Sequence, residues 1–246
     1  MKKKLALVFG SNGGIGIASV KQLLGDGMQV CAMYNKGKEK IEGLQHECSD
    51  EDILSVKCDV TDEASVNSSI EDILSRFGKI DVVMFSVSPA LKYKPMLNLE
   101  WEDYSEFLDL QVKAMILVVK SLRQQIRLKV RMKFIVVLTE CCVGTPPTGF
   151  SHYVTSKYAA LGLSKTMARD LSQYNCTVNM ITPGMIETEL LANFPAKLVE
   201  MAAHENPMKR IGSPEDVARV VSFLASDQSD YLNGANITVN GGSVMF

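Results

Sequence analysis

Leu5-Ala6-Leu7-Val8-Phe9-Gly10-Ser11-Asn12-Gly13-Gly14-Ile15-Gly16 is the stretch that decides the fold. Its first five residues are apolar without alternation, the pattern of a strand buried on both faces. Gly10, Gly14 and Gly16 then allow a tight turn and close backbone approach. Ile15, Val20, Leu23 and Leu24 recur at helical spacing until Gly25-Asp26-Gly27 stops the helix. A second strand follows at residues 30–34. Strand, glycine turn and helix in that order make a cradle for a dinucleotide: the turn admits a pyrophosphate and the helix N-terminus faces it. The GxxxGxG spacing differs from GxGxxG, and position carries the inference, since the glycines follow the first buried strand and precede a second by roughly twenty residues. The residues expected to line this cradle are Gly10, Ser11, Asn12, Gly13, Gly14, Ile15 and Gly16.

The alternation continues outward. A polar helix at 38–48 precedes a strand at 53–57, and a helix at 62–77 stops at Gly78. Residues 82–85 read as a buried strand, 101–127 as one long helix, 134–138 as a strand, 151–174 as a helix and 177–181 as a strand ending at Pro183-Gly184. Residues 185–212 lack a clean period and read as an insertion with one or two short helices. Ser213-Pro214-Glu215-Asp216 starts a last helix, with the hydroxyl at the cap and proline in the first turn, and 235–239 forms the final strand. Seven strands joined by crossovers give one α/β domain over 1–246, a Rossmann-type doubly wound parallel sheet with helices on both faces.

Composition narrows the function classes. The 246 residues carry 26 basic and 28 acidic side chains, a formal charge of −2, so no basic field suggests nucleic acid. Apolar residues make up 46% and charged residues 22%, ordinary values for a soluble protein. Lys2-Lys3-Lys4 and the run 5–9 resemble a signal peptide only superficially, because the apolar run is too short for export or for a membrane span. The six cysteines show neither zinc-ligand spacing nor disulfide density, and the three histidines form no metal pattern. Reduced thiols in the cytoplasm and no metal site are the expectations.

Two further strand ends carry chemistry. After the second strand comes Tyr34-Asn35-Lys36-Gly37-Lys38, without the acid that would hold the ribose hydroxyls of NAD. Lys36, together with Lys38, can instead hold a 2′-phosphate, which points to NADP(H), or these are solvated lysines opening a surface helix. After the third strand, Asp59 of Asp59-Val60 can meet an adenine amino group or cap the next helix. On the helix at 151–174, Tyr153 and Lys157 lie four apart and share one face. An ammonium beside a phenol lowers its pKa and makes it a usable proton donor; alone, the pair is equally an ordinary packed ring and a solvated charge.

Taken together, the glycine loop, Asp59-Val60, Tyr153-x-x-x-Lys157, Pro183-Gly184 with Thr188, and the ending Gly234-Ala235-Asn236-Ile237-Thr238-Val239-Asn240-Gly241-Gly242 resemble the short-chain dehydrogenase/reductase family, nearest its 3-oxoacyl-carrier-protein reductase branch. The resemblance covers essentially the whole chain. It implies that Tyr153 donates a proton to a carbonyl oxygen while NAD(P)H reduces the carbon, that Lys157 lowers the Tyr153 pKa and holds the nicotinamide ribose, and that Pro183, Gly184, Ile186 and Thr188 lie against the nicotinamide. It also implies tetramers or dimers built from the helix at 101–127 and the segment 214–239.

The sequence departs from the family pattern in four places. Phe9 stands where a Thr is usual, Phe85-Ser86-Val87-Ser88 where Asn-Asn-Ala-Gly is usual, and Gln111 where an Asn holds a relay water. The Ser that polarises the substrate carbonyl usually lies thirteen residues before the Tyr, and that count lands on Glu140. Ionised, Glu140 only accepts hydrogen bonds and raises the phenol pKa; protonated, it can donate. Thr139 can supply a hydroxyl if a bulge shifts the strand register, and Ser86 is a further substitute. Three readings result: an NADPH-dependent ketoreductase acting on a small or carrier-bound acyl substrate, an isomerase or dehydratase with Glu140 as base, and a non-catalytic homologue that pairs with another reductase in a hetero-oligomer. The walls expected from 89–98 and 185–210, rich in Met, Leu and Ala, suit an apolar or acyl substrate.

Overall fold

The apolar run at the start of the chain becomes an interior strand of the sheet. In the computed structural model, which describes residues 3–37, 39–47, 49, 52–192 and 194–245, it forms β1 (Leu5–Phe9), buried at every position. Leu5, Leu7 and Phe9 enter the core on one face, Ala6 and Val8 the core on the other. A strand covered on both faces needs an apolar side chain at each position, hence the absence of alternation.

Strands β2 (Gln29–Tyr34), β3 (Ile53–Lys57), β4 (Val82–Phe85), β5 (Met132–Val137), β6 (Cys176–Pro183) and β7 (Asn236–Val239) complete a seven-stranded sheet. All pairs are parallel and the order is β3-β2-β1-β4-β5-β6-β7. The chain steps outward from β1 to β3, returns to β4 on the other side of β1, and steps outward again. That reversal opens a crevice between the carboxyl ends of β1 and β4, where such sheets bind ligands.

The helices are α1 (Gly14–Gly25), α2 (Glu39–Glu47), α3 (Glu63–Phe77), α4 (Trp101–Leu108), α5 (Ala114–Ser121), α6 (Arg123–Arg127), α7 (Ser151–Leu171), α8 (Ala196–Glu205) and α9 (Pro214–Ala225). Val20 and Leu23 of α1 meet Val217 and Val221 of α9 on one face of the sheet, while α3, α5 and α7 cover the other through residues such as Ile70, Val118 and Ala160. The family resemblance and the two-faced core agree on the doubly wound sheet.

Helix starts follow local chemistry. Asp62 caps α3 by accepting from the Ala64 and Ser65 N–H groups, and Ser213 caps α9 in a reciprocal box with Asp216. The start of α1 differs: its cap residue is Gly13, with no side-chain bond and no acid in the first turn.

The continuous helix expected at 101–127 is not continuous. A π-turn at Asp109–Lys113 separates α4 from α5, and Leu122, at ψ 2°, separates α5 from α6. The extra residue of a π-turn rotates the chain locally, and here it puts the buried Gln111 on the inner face. The segment after β6 carries a 3-10 turn at Glu189–Leu191 and then α8, and a parallel bridge from Ile186 to Gly212 ties its ends. Lys38 and Cys48 lie outside the described residues.

Candidate active site

The glycine loop is shaped by contacts that only glycine permits. Gly10 has φ +80°, and a Cβ there would lie 2.6 Å from the Ser86 carbonyl oxygen at the end of β4. A Cβ on Gly16 would lie 2.0 Å from the Gly10 oxygen, and one on Gly14 2.5 Å from the Thr188 methyl. The fully buried Ser11 donates its hydroxyl to the Met33 carbonyl (2.8 Å), and Asn12 donates its amide to the Lys36 carbonyl (2.5 Å). These two side chains fasten the loop to the end of β2. The Gly13 N–H is spent on the Gly10 oxygen at 3.1 Å. With a glycine cap and no acid in its first turn, the start of α1 lacks a side-chain cap of its own and suits an anion. A backbone cradle and an uncapped helix start fit a dinucleotide pyrophosphate.

Asn35, Lys36 and Asp59 sit at the ends of β2 and β3, on the far side of the glycine loop from Tyr153, where the adenosine half of a dinucleotide would lie. Asn35 and Lys36 are exposed. Asp59 does not cap α3, which has Asp62. Its carboxylate accepts from the Thr61 hydroxyl (2.7 Å) and N–H (2.9 Å), and these bonds, helped by the Asn35 side chain, hold it below the usual carboxylate range. The Val60 side chain is buried in the core.

On the other side of the crevice, Tyr153 and Lys157 project from α7 and are both buried. Lys157 donates to the Val137 carbonyl (2.8 Å) and to Gln111 Oε1 (3.0 Å), and Gln111 Nε2 donates to the Val87 carbonyl (2.6 Å). The π-turn therefore inserts Gln111 between the ends of β4 and β5 and gives it direct hold of the lysine. Burial lowers the Lys157 pKa from 10.5 to about 8. Burial also raises the Tyr153 phenol well above its ordinary value; a hydrogen bond with the Thr139 hydroxyl opposes the rise, and Cys141, Cys142 and Glu140 add to it. The lowering expected from Lys157 is absent in this geometry. The ammonium is 5.9 Å from the ring centroid with two of its donors committed elsewhere, so desolvation wins and the phenol keeps its proton.

Thr139 reaches Tyr153 without the bulge that the sequence reading required. It is buried and extended (φ −159°, ψ 149°), on the same side as Val137, and the chain enters a 3-10 turn at Glu140–Cys142 only after it. Counting back thirteen residues to Glu140 assumes a β5-to-α7 loop of the usual length, and this loop does not comply. Glu140 itself is turned toward the end of the chain: its carboxylate accepts from the Ser243 hydroxyl and lies against Gly184, whose Cβ would be 3.1 Å from Oε2. Glu140 lines the same cavity as Tyr153 and Thr139, with its carboxylate held toward the tail.

These groups open onto a cavity of about 370 Å³ whose lining includes Ile15, Ser86, Thr139, Tyr153, Lys157 and Thr188, with Pro183, Gly184 and Ile186 along one side. Its outer wall is aromatic. Phe150 and Phe194 stack with centroids 5.6 Å apart, and Tyr93 meets Phe150 edge-on at 6.1 Å. Phe9 and Phe85, two of the family departures, are register partners on β1 and β4 and stack at 5.5 Å directly below the glycine loop. Sequence reasoning missed the Val137 carbonyl, the aromatic wall and the tail residues Ser243 and Val244. A main-chain acceptor leaves no sequence signal, and the tail meets Glu140 across 103 residues. Among the described residues, no cluster of His, Cys, Asp or Glu suits a metal ion.

Comparison with known proteins adds a second line of observation. Residues 10–244 match the family model described as Enoyl-(Acyl carrier protein) reductase. The chain is 30% identical to a 3-oxoacyl-[acyl-carrier-protein] reductase of Staphylococcus epidermidis, over 98% of this chain and 99% of that one. It is similarly related to the enzymes of that name from Thermotoga maritima (30%, covering 100% and 99%) and Aquifex aeolicus (31%, covering 98% and 98%). Among solved structures, a doubly substituted short-chain dehydrogenase/reductase of Serratia marcescens superimposes with a TM-score of 0.88 at 26% identity, over 98% of this chain and 97% of that chain.

Proposed function

The chain belongs to the short-chain dehydrogenase/reductase family, in its 3-oxoacyl-[acyl-carrier-protein] reductase-like branch, and from that premise we propose that it is an NADPH-dependent reductase of a carbonyl on an apolar acyl substrate. It is an oxidoreductase of the ketoreductase kind, and its cofactor is a nicotinamide dinucleotide. The observation that carries the finer reading is the convergence of the Thr139 hydroxyl, a protonated Tyr153 and the Gln111-held Lys157 on one apolar cavity beside the glycine loop.

Gly10, Gly14 and Gly16 give the pyrophosphate its approach to the start of α1, and Asp59 takes the adenine side. Lys36, exposed just beyond the end of β2, holds a ribose 2′-phosphate and sets the preference for NADP(H). Pro183, Gly184, Ile186 and Thr188 flank the nicotinamide end. When bound, the cofactor supplies the reducing equivalent to the carbonyl carbon. Tyr153 gives its proton to the carbonyl oxygen, and Thr139 stabilises the charge that grows there by donating a hydrogen bond. Lys157 has three donors, two spent on Val137 and Gln111, and the third holds a ribose hydroxyl and faces the phenol. The aromatic wall of Phe150 and Phe194, backed by Tyr93 from outside, excludes water and packs an acyl chain.

The whole chain acts as one domain in this reading, with 185–212 as its substrate segment. The half-exposed Ile116 and Tyr158 on α5 and α7, and Phe223 and Tyr231 at and beyond the end of α9, are the faces for pairing with further copies. Free thiols suit the cytoplasm; among the described residues no helix is long and apolar enough to cross a membrane. The test is oxidation of NADPH in the presence of 3-oxoacyl thioesters of increasing chain length. Tyr153→Phe should lower turnover about 10²- to 10⁴-fold, the range for loss of a general acid. No turnover with any carbonyl would sink the proposal.

A further inference from the structure

We propose that Glu189 occupies the anion site at the start of α1 in the cofactor-free protein, and that the cofactor must displace it, freeing Lys40 to meet a cofactor phosphate. The inference rests on the assignment of that helix start to the pyrophosphate. Thr188 packs its methyl against Gly14, so the segment that follows lies directly over the glycine loop. Glu189 opens the 3-10 turn there, and its carboxylate pairs with the Lys40 ammonium of α2, 149 residues away in sequence. Lys40 and, among weaker contributions, the Gly14 N–H hold the Glu189 carboxyl below its ordinary pKa.

Charge explains the arrangement. The first turn of α1 contains no acid and its glycine cap brings no side chain, so the helix start attracts an anion, and Glu189, next in the chain to the Thr188 that packs on Gly14, is a carboxylate from another part of the chain held beside it. A pyrophosphate is a stronger claimant on the same N–H groups, and it repels the carboxylate it displaces. The Lys40–Glu189 pair is substantially exposed on both sides, 46% and 63%, so separating it costs little. Leu190, Leu191 and Phe194, which follow Glu189, line the cavity. A displacement of Glu189 that carries its 3-10 turn along would shift one wall of the substrate pocket and link cofactor binding to pocket shape.

The experiment compares dissociation constants for NADPH, by fluorescence titration, in the wild type, Glu189→Gln and Glu189→Gln with Lys40→Met. Because apparent affinity scales with the fraction of protein whose site is open, Glu189→Gln should bind about 3- to 10-fold tighter than wild type. Adding Lys40→Met should reverse part of that gain. Binding by Glu189→Gln that is equal or weaker overturns the proposal, since a merely structural glutamate would loosen the loop and the site together. Inorganic pyrophosphate separates this idea from the cofactor reading. If pyrophosphate raises the melting temperature of Glu189→Gln more than that of wild type while no variant binds NADPH or NADH, the anion competition stands and the cofactor assignment falls. If pyrophosphate protects both equally, the competition falls.

Discussion

Lys157 should make the protein more stable as the solution becomes more alkaline, the reverse of ordinary alkaline loosening. It is 4% exposed, and burial brings its pKa from 10.5 down to about 8. At pH 7 the lysine is charged in both the folded and unfolded chain, and its burial costs about 3 kcal/mol, from 2.5 pKa intervals at 1.36 kcal/mol each. Between about pH 8 and 10.5 the folded lysine has shed its proton while the unfolded one still holds it. The unfolded state then binds more protons, so stability rises with pH. By pH 10 the cost has fallen below about 1 kcal/mol, a recovery of about 2–3 kcal/mol. The measurement is urea unfolding of wild type and Lys157→Met at pH 7, 8, 9 and 10 and fixed protein concentration. Replacing the lysine strands Gln111 Oε1 and the Val137 carbonyl, which adds an offset that does not change with pH; Cys142, whose thiol burial pushes up to about 11 while Lys157 pulls it down, is linked to the change, but it stays protonated over most of this range in both proteins. The difference between the two curves should climb by about 2–3 kcal/mol in favour of wild type. Parallel curves would refute the buried, depressed lysine and the account of Tyr153 built beside it.

The two candidates for the missing serine separate cleanly. Thr139→Ala should lower kcat/KM about 10²- to 10³-fold, as for loss of one oxyanion donor, while Glu140→Gln should leave kcat within about a factor of three because the carboxylate serves the tail, not the reacting oxygen. Steady-state kinetics with one acyl thioester decides this, and the reverse ranking revives Glu140 as the chemical group. Gln111→Leu removes an acceptor that favours the charged lysine, so its pKa falls further below about 8. The alkaline limb of the pH–rate profile should move to lower pH, and an unmoved limb would show that Gln111 does not govern Lys157.

The sheet was legible because its cause is local. Continuous apolar runs bounded by glycine mark strands buried on both faces, and the hydroxyl-proline start of α9 is written in four consecutive residues. The site was legible only where its residues are fixed by one turn of backbone, as with Tyr153 and Lys157 on α7. What escaped depends on distant pairings. The π-turn at Gln111 shifts the apolar period by one residue, but it runs into Ala114-Met115-Ile116-Leu117-Val118-Val119, apolar at every position, so the shift leaves no readable break. The orientation of Glu140 is set by Ser243, and the place of Thr139 by a loop whose length no spacing rule anticipates.

The stacked rings of Phe9 and Phe85 bear on how departures from a family should be counted. The two residues face each other in register across β1 and β4. Each ring fills space that a smaller polar partner would leave open, so either reversion alone opens a void under the glycine loop, and only the pair changes without strain. Phe9 and Phe85 thus act as one structural unit, an apolar seam under the glycine loop. The crevice under the glycine loop is therefore floored by a matched pair rather than by two independent mismatches.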